Sequence, residues 1–186
     1  MGTASSVSAA TGNSECGCEL YIPDASAEPA AWNMVHAVKF TDKISSVLNF
    51  KQSGLWWVEP DVSVYEAIER MADKGVGALL VMSGGKLVGI ISERDYARKV
   101  ILKGRSSKDT AVKEIMTSPV IYVTPNSTLD DCMAIMTNSR IRHLPVIDGD
   151  RVLGLISIRD LVSWIISEQE HTIRHLESYI TGKYPA

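Results

Sequence analysis

Residues 58–95 lie over residues 123–160 without a gap, 65 positions apart, and the match includes polar as well as apolar side chains. Val58 falls on Val123, Pro60 on Pro125, Met71 on Met136, Leu79 on Leu144 and Val81 on Val146. Gly84 falls on Gly149, Gly89 on Gly154, Ile91-Ser92 on Ile156-Ser157 and Arg94-Asp95 on Arg159-Asp160. A shared pattern of helices and strands alone would not align polar residues this well, so the chain carries two copies of one supersecondary unit. A unit of roughly 50–60 residues buries too little apolar surface to stand alone. The two copies must therefore share a core.

Each copy reads in the order strand, helix, strand, strand, helix. An extended segment, Leu55 to Val58 or Val120 to Val123, ends near Pro60 or Pro125. Ser63-Val64-Tyr65-Glu66 has the form of a capping box, and Thr128-Leu129-Asp130-Asp131 is its counterpart. Val64, Ala67, Ile68 and Met71 recur at helical spacing, as do Leu129, Cys132, Met133 and Met136. Gly75-Val76-Gly77 ends the first of these helices. Apolar strands Ala78–Met82 and Leu144–Ile147 turn at Ser83-Gly84-Gly85 and Asp148-Gly149-Asp150 into return strands Leu87–Ile91 and Val152–Ile156. Helices follow over about 92–102 and 157–167, and a further amphipathic helix is expected over Ile165–Ile180. The fold class is α/β (α+β), with two β-α-β-β-α units packed about a pseudo-twofold axis. The expected organisation is a disordered tail over 1–38, repeat 1 over 41–102, a linker over 103–111, repeat 2 over 112–169 and a helical extension over 170–186. Ile44–Leu48 and Val112–Met116 open the two copies at an offset of 68, so the first copy carries three extra residues before Val58.

Composition narrows the function classes. A net charge of −3 gives no support for nucleic-acid binding, which draws its affinity from a basic surplus. No stretch approaches the roughly 18 apolar residues of a membrane span. Three cysteines, Cys16, Cys18 and Cys132, are too few and too odd in number for a disulfide framework and favour a reducing compartment. Residues 1–38 hold no Lys or Arg but do hold Glu15, Glu19, Asp24 and Glu28. That fits neither a mitochondrial presequence nor a signal peptide, and a cytoplasmic location is expected. The opening Met1-Gly2-Thr3-Ala4-Ser5-Ser6 matches the pattern for acylation of Gly2, the one membrane attachment the sequence offers.

Two tandem copies ending in Gly-apolar-Ile-Ser-x-Arg-Asp, with Arg142-His143-Leu144-Pro145-Val146 in the second, resemble a pair of CBS domains, a Bateman module. The resemblance covers about residues 41–169 and leaves no catalytic domain over. The stretch Glu93–Lys99 through Gly104–Lys108 is similar to the plant mitochondrial CBSX type, from which the acidic N-terminus departs. The resemblance implies a regulatory protein that binds AMP, ADP, ATP, S-adenosylmethionine or NAD(H) in clefts between the copies. It also implies a head-to-head homodimer and, for the plant members, a regulated partner of the thioredoxin type or a metabolic enzyme. By family analogy Arg142 and His143 approach the phosphates.

The residues themselves support such a ligand. Ser92 and Ser157 follow strands and begin helices, where unpaired backbone N–H groups suit a phosphate. Arg94 and Arg159 add charge and a forked geometry. Asp95 and Asp160, three residues past the serines, suit the two hydroxyls of a ribose, and Ala78 and Ile121 suit a slot for adenine. Ser-x-x-Asp is equally a plain helix cap. Its occurrence twice, with Gly before and Arg inside, favours the nucleotide site over the cap alone. The first copy has Gly77-Ala78 where the second has Arg142-His143, so the two clefts should differ towards phosphate.

Other candidates carry less. His171 and His175 have metal-ligand spacing, but the apolar residues Trp164, Ile165, Ile173, Leu176 and Ile180 mark a buried stripe, with the histidines on a solvated face or a partner-facing helix. Adjacent Trp56 and Trp57 would face opposite ways in a strand, one into the core and one over a ligand or dimer contact. Lys99, Lys103, Arg105 and Lys108 read as a solvated linker that can extend a phosphate site. There is no P-loop, Rossmann fingerprint or supported nucleophile–base set, so the expectation is a protein that is not an enzyme. The alternatives are a scaffold with vestigial clefts and a redox regulator that senses through Cys132 or the tail cysteines.

Overall fold

The computed structural model describes residues 20–21, 40–51 and 54–180. A short strand β1 (Leu20–Tyr21) and a helix α1 (Ile44–Lys51) precede the first copy. That copy consists of β2 (Trp57–Val58), α2 (Val64–Lys74), β3 (Ala78–Ser83), β4 (Lys86–Ser92) and α3 (Glu93–Lys99). The second consists of β5 (Val120–Ile121), α4 (Leu129–Asn138), β6 (His143–Asp148), β7 (Arg151–Ser157) and α5 (Ile158–Ile180). The mixed α/β order inferred from the repeat is the one observed.

Local chemistry accounts for the elements. On α2, Val64, Ala67 and Met71 form the buried face, and the Ser63 hydroxyl accepts the Glu66 N–H at 3.1 Å. On α4, Leu129, Cys132, Ile135 and Met136 are buried, and Thr128 and Asp131 cap each other reciprocally. Gly75 ends α2 at φ 63, and Arg140 takes the equivalent place at φ 53. A side chain in that left-handed region costs about 1–2 kcal/mol. The hairpins β3–β4 and β6–β7 are antiparallel, with Ala78 opposite Ser92 and His143 opposite Ser157. Both shift register at the same place, after Val81 and after Val146.

The short leading strands differ between the copies. β2 pairs in parallel with β3, and the Leu80 N–H donates to the Trp56 carbonyl at 3.2 Å. Pro145 stands at the position of Leu80 and has no N–H to give, so the second copy keeps only the bridge between Val123 and Val146. β5 therefore stops at Ile121, short of the expected Val123, and pairs in parallel with β1. That pairing corrects the expectation of a wholly structureless tail. Gly2, Cys16 and Cys18 lie outside the described residues.

The core is built by exchange. One cluster joins Val58, Val64, Ala67, Met71, Leu79, Val81 and Ile91 of the first copy to Val112 and Ile115, which open the second. The other joins Val123, Leu129, Cys132, Met136, Leu144, Val146 and Ile156 to Ile44 and Val47 of α1. Backbone bonds fix the exchange twice over. Val112 donates to Val62 O at 2.9 Å and Lys113 to Pro60 O at 2.8 Å. Ile44 donates to Ser127 O at 3.0 Å and Ser45 to Pro125 O at 3.1 Å. Leu80, Leu87, Val120 and Ile147 form a third cluster where the two hairpins meet. The three extra residues of the first copy let α1 run to Lys51, whereas the second copy opens with a single 3₁₀ turn, Val112–Glu114.

Several expectations need correction. The segment after Ser157 is one helix of 23 residues, not two. Trp164 and Ile165 pack on the second core, but Ile173 and Ile180 are exposed, because the helix runs past the body of the protein. Neither Trp56 nor Trp57 is core: Val58 takes the inward position, and the Trp56 ring lies 4.6 Å below the Lys74 ammonium. The stretch 103–111 is mostly exposed but is tied to the first copy, with Thr110 buried and the Tyr65 N–H donating to Ser107 O at 3.0 Å.

Gly89 and Gly154 lie where the exchanged segments cross the return strands. A Cβ on Gly89 would stand 2.5 Å from Sδ and 3.3 Å from Cβ of Met116; one on Gly154 would stand 2.8 Å from Cδ2 of Leu48. We expect Gly89→Ala to lower stability by about 1–3 kcal/mol, the usual cost of overpacking. Gly154→Ala should cost less, since only the tip of Leu48 must move. Urea unfolding of both variants checks the order, and the reverse order would mean that the crossing at Gly89 is not the tighter one.

Candidate functional site

Each return strand delivers a serine to the start of a helix. In the first copy Asp95 Oδ2 accepts from the Ser92 hydroxyl at 2.6 Å and the Ser92 N–H at 3.1 Å. Its Oδ1 meets Lys99 Nζ at 2.8 Å and the Thr117 hydroxyl at 3.3 Å. Lys99 also donates to Ile115 O at 2.7 Å. Both oxygens of Asp95 are thus engaged, Oδ2 in the cap of α3 and Oδ1 in joining α3 to the segment that opens the second copy. Of the remaining basic cluster, Arg105 pairs with Glu114 and Lys108 sits over the Tyr65 ring.

The second copy is arranged differently. Asp160 Oδ2 accepts from the Ser157 N–H at 2.6 Å, the Ser157 hydroxyl at 2.7 Å and Lys51 Nζ at 2.8 Å. Lys51 also donates to Leu155 O at 2.8 Å. The lysine comes from the last turn of α1 rather than from the capped helix, because Trp164 occupies the position equivalent to Lys99. Lys51 and Leu155 also line a cavity of about 310 Å³ between α1 and β7, together with Ser45, Leu48, Asn49, Pro125, Leu153 and Gly154.

Further basic side chains converge here from both copies. His143 begins β6 opposite Ser157 and faces the Gly77–Glu93 corner of the first copy; a Cβ on Gly77 would stand 3.8 Å from His143 Cε1. Arg94 reaches from α3 to donate to Arg140 O at 3.0 Å. The Arg142 carbonyl accepts the Ile158 N–H at 3.0 Å, as Gly77 O accepts from Glu93 at 3.1 Å, so both corners are pinned by backbone. Burial pushes the His143 imidazole below its ordinary range, and Lys51, Arg142 and Arg94 push it further, against a smaller opposing pull from Asp160. Burial alone would raise the Asp160 carboxyl, but hydrogen bonds from Lys51 and Ser157 outweigh it and hold the group below the usual carboxylate range.

The structure thus brings together Ser157, Asp160, Arg142, His143 and Arg94, and adds Lys51. It places Ser92 and Asp95 in a separate cluster and adds Thr117. Ala78 is buried opposite Ser92, Ile121 is half-buried against the second core, and Arg159 is exposed on α5. Lys51 has no local signal, because its carboxylate is 109 residues away. Cys132 is fully buried, and burial pushes its thiol up to about 12, which removes the thiolate a redox sensor needs. The His171 and His175 rings lie 4.9 Å apart, tilted by 48°, on exposed helix. Among the described residues no three His, Cys, Asp or Glu side chains are grouped to hold a metal, and no helix is long and apolar enough to cross a membrane.

A duplicated β-α-β-β-α unit with a capped Ser-x-Arg-Asp corner in each copy defines a class, and the chain belongs to it: the CBS domain family matches residues 51–101 and 112–167. The chain is 43% identical over 150 residues to the CBS domain-containing protein CBSX3, mitochondrial, of Arabidopsis thaliana, covering 76% of this chain and 73% of that protein. A solved CBS-domain protein from Burkholderia ambifaria is 50% identical with a TM-score of 0.66, over 69% of this chain and 96% of that one. The CBS domain pair of MJ0100, solved in complex with 5′-methylthioadenosine and S-adenosyl-L-methionine, shares the fold at 24% identity and a TM-score of 0.60, over 69% of this chain and 98% of that one.

The two shifted groups of this corner set the direction of its contribution to the pH dependence. Asp160 holds its proton less tightly folded than unfolded, so its stabilisation is complete above about pH 4 and is lost as pH falls through the folded value. His143 is also lowered, so the unfolded chain takes up its proton first and stability drops as pH falls from about 6.5 towards the folded value. His143→Gln should therefore lose less stability than the wild type between pH 7.5 and 5.5 in denaturant unfolding. Equal losses would mean that His143 is not the group responsible.

Proposed function

We propose that this chain is a regulatory CBS pair that binds an adenosine-containing nucleotide at the Asp160 corner and does no chemistry on it. The observation that carries this reading is the gathering of Lys51, Arg94 and Arg142, from three separate stretches of both copies, around His143, with the capped carboxylate of Asp160 held by Lys51 beside it. Asp160 receives the ribose hydroxyls, and its three internal bonds all fall on Oδ2. The cations receive the phosphates: Arg142 and Arg94 by forked donation and Lys51 as a point charge. Ala78 and Ile121 belong to the apolar surroundings of the base, and Arg159 lies on the rim. Adenosine compounds in the MJ0100 pair support the capacity of the fold for such ligands.

Binding rather than catalysis fits the serines. Ser157 gives its hydroxyl proton to Asp160 as a cap, and Ser92 does the same to Asp95, so neither is poised as a nucleophile. The saturated Asp95 corner favours a structural role there, with Ser92 and Asp95 as a joint rather than a receptor. A ligand at Asp160 must draw Lys51 off the carboxylate or bridge the two. Either changes how α1 lies against α5, and a partner protein reads that change.

The test is thermal unfolding against AMP, ADP, ATP, NADH, S-adenosylmethionine and GMP. A ligand at 100 times its Kd stabilises by about 2.7 kcal/mol, or roughly 5–10 °C for a protein of this size. We expect a shift with an adenosine ligand and not with GMP, lost in Asp160→Asn and Lys51→Met but kept in Asp95→Asn. No shift with any of them would favour the scaffold reading, and a shift lost in Asp95→Asn alone would move the site to the first copy.

A further inference from the structure

Leu55, Trp56 and Trp57 are consecutive, large and apolar, and each is exposed, by 36%, 36% and 42%. A run of three such residues open to water is disfavoured unless something covers it. They stand outward because β2 is two residues long and turns only Val58 into the core. Together with Arg70 and Lys74 of α2 they line a cavity of about 330 Å³. Lys74 Nζ stands 4.6 Å above the Trp56 ring, and Arg70 Nη1 donates to the Trp57 carbonyl at 2.7 Å. These contacts hold both cations against the indoles, four residues apart on one face of the helix, where like charges repel. Among the described residues no carboxylate pairs with either. The lining is thus aromatic and doubly positive, with no negative side chain in it.

We propose that this patch docks a partner protein through a segment that presents a carboxylate beside a large apolar side chain. The apolar side chain lies on the indole faces, and the carboxylate takes the remaining donors of the Arg70 guanidinium and the Lys74 ammonium. Trp and Arg are the residue types that most often dominate the binding energy of a protein interface. The partner does not add a strand. β2 is the outer strand of its sheet, but the Trp56 carbonyl is turned to Leu80 of β3, so the Trp57 carbonyl is turned outward, and Arg70 occupies it. Side chains must therefore carry the recognition. A broad anionic surface, such as a membrane or a nucleic acid, suits the patch less. Glu66, Glu69 and Asp73 stand exposed on the same helix and the chain carries a net charge of −3, so such a surface is repelled, whereas a single carboxylate needs only the two cations. The patch holds its indoles and cations whether or not a nucleotide sits at Asp160, so docking here stands apart from that reading.

The experiment selects displayed random peptides on the full chain and measures the enriched sequences as free peptides by fluorescence anisotropy. They should carry Asp or Glu next to an aromatic residue or Leu, and their affinity should fall as salt is added. Trp57→Ser should weaken them by about tenfold or more, as loss of a central interface residue does, and Lys74→Glu should weaken them as well. Both positions are exposed, so far-UV circular dichroism and the melting temperature should match the wild type. Should Trp57→Ser disturb the fold, Lys74→Glu alone decides. Enrichment no greater than on the Trp57→Ser chain, enrichment of basic peptides, or an affinity indifferent to both substitutions would overturn the proposal. Two further arms separate the other occupants. A change of oligomer size in Trp57→Ser by light scattering would assign the patch to a second copy. Binding to phosphatidylcholine vesicles containing phosphatidylglycerol, lost in Trp57→Ser, would assign it to a membrane. Either result would overturn the assignment to a partner protein.

Discussion

The structure depends on an exchange: neither copy closes its own core. Ile44 and Val47 complete the second copy, and Val112 and Ile115 complete the first, each 0–1% exposed. Burial of a side chain of this size contributes about 1.5–3 kcal/mol, and a whole domain is stable by only about 5–15 kcal/mol. Removing the exchanged segments would take away a share that neither copy can spare. The two copies therefore stand or fall together, and any displacement of an opening segment is felt in the core of the other copy.

The same exchange makes the two corners unequal. In the first copy the crossing segment is short, a 3₁₀ turn, and it brings Thr117 and the Ile115 carbonyl against a lysine already on α3. In the second the crossing segment is a helix of eight residues, and its last residue is the lysine itself. Asp95 is thus tied within a finished joint, while Asp160 is held by a side chain that arrives from a different element. An ion pair between two elements, partly open to water, is the kind of contact that a competing anion can rearrange at low cost.

The fold was legible because the copies kept side-chain identity wherever their surroundings are the same. Gly89 and Gly154 each make room for a crossing side chain, and Ser92–Asp95 and Ser157–Asp160 each cap a helix, so the offset of 65 runs through them unchanged. The offset of 68 in the opening segments was also visible, but its meaning was not, since exchange is a matter of contacts far apart in sequence. Of the candidate corner, Ser157 and Asp160 stood out through the repeat, and Arg142 and His143 through the family resemblance, since the first copy has Gly77-Ala78 in their place. Lys51 did not, because nothing near it in sequence distinguishes it from any other lysine at a helix end. Trp56 and Trp57 misled because alternation holds only inside a strand, and the strand there is two residues long. The stripe on α5 misled because periodicity marks an apolar face without showing whether its own chain covers it.

One helix joins the two ends of the functional reading. Asp160 lies in the first turn of α5, and Ile180 stands exposed at its other end, about 30 Å away at 1.5 Å per residue. Between them Trp164 and Ile165 hold the helix to the second core, and α1 holds it through Lys51 and the Phe50–Trp164 contact. The anchors are thus shared between the element that supplies the cation at Asp160 and the rod that runs past the body. A ligand that repositions Lys51 acts on α1 directly, and α1 touches α5 at the point from which the rest of the rod projects. Coupling between ligand and partner then requires only that the two positions of α1 differ in their affinity for the nucleotide, since linkage makes the effect reciprocal.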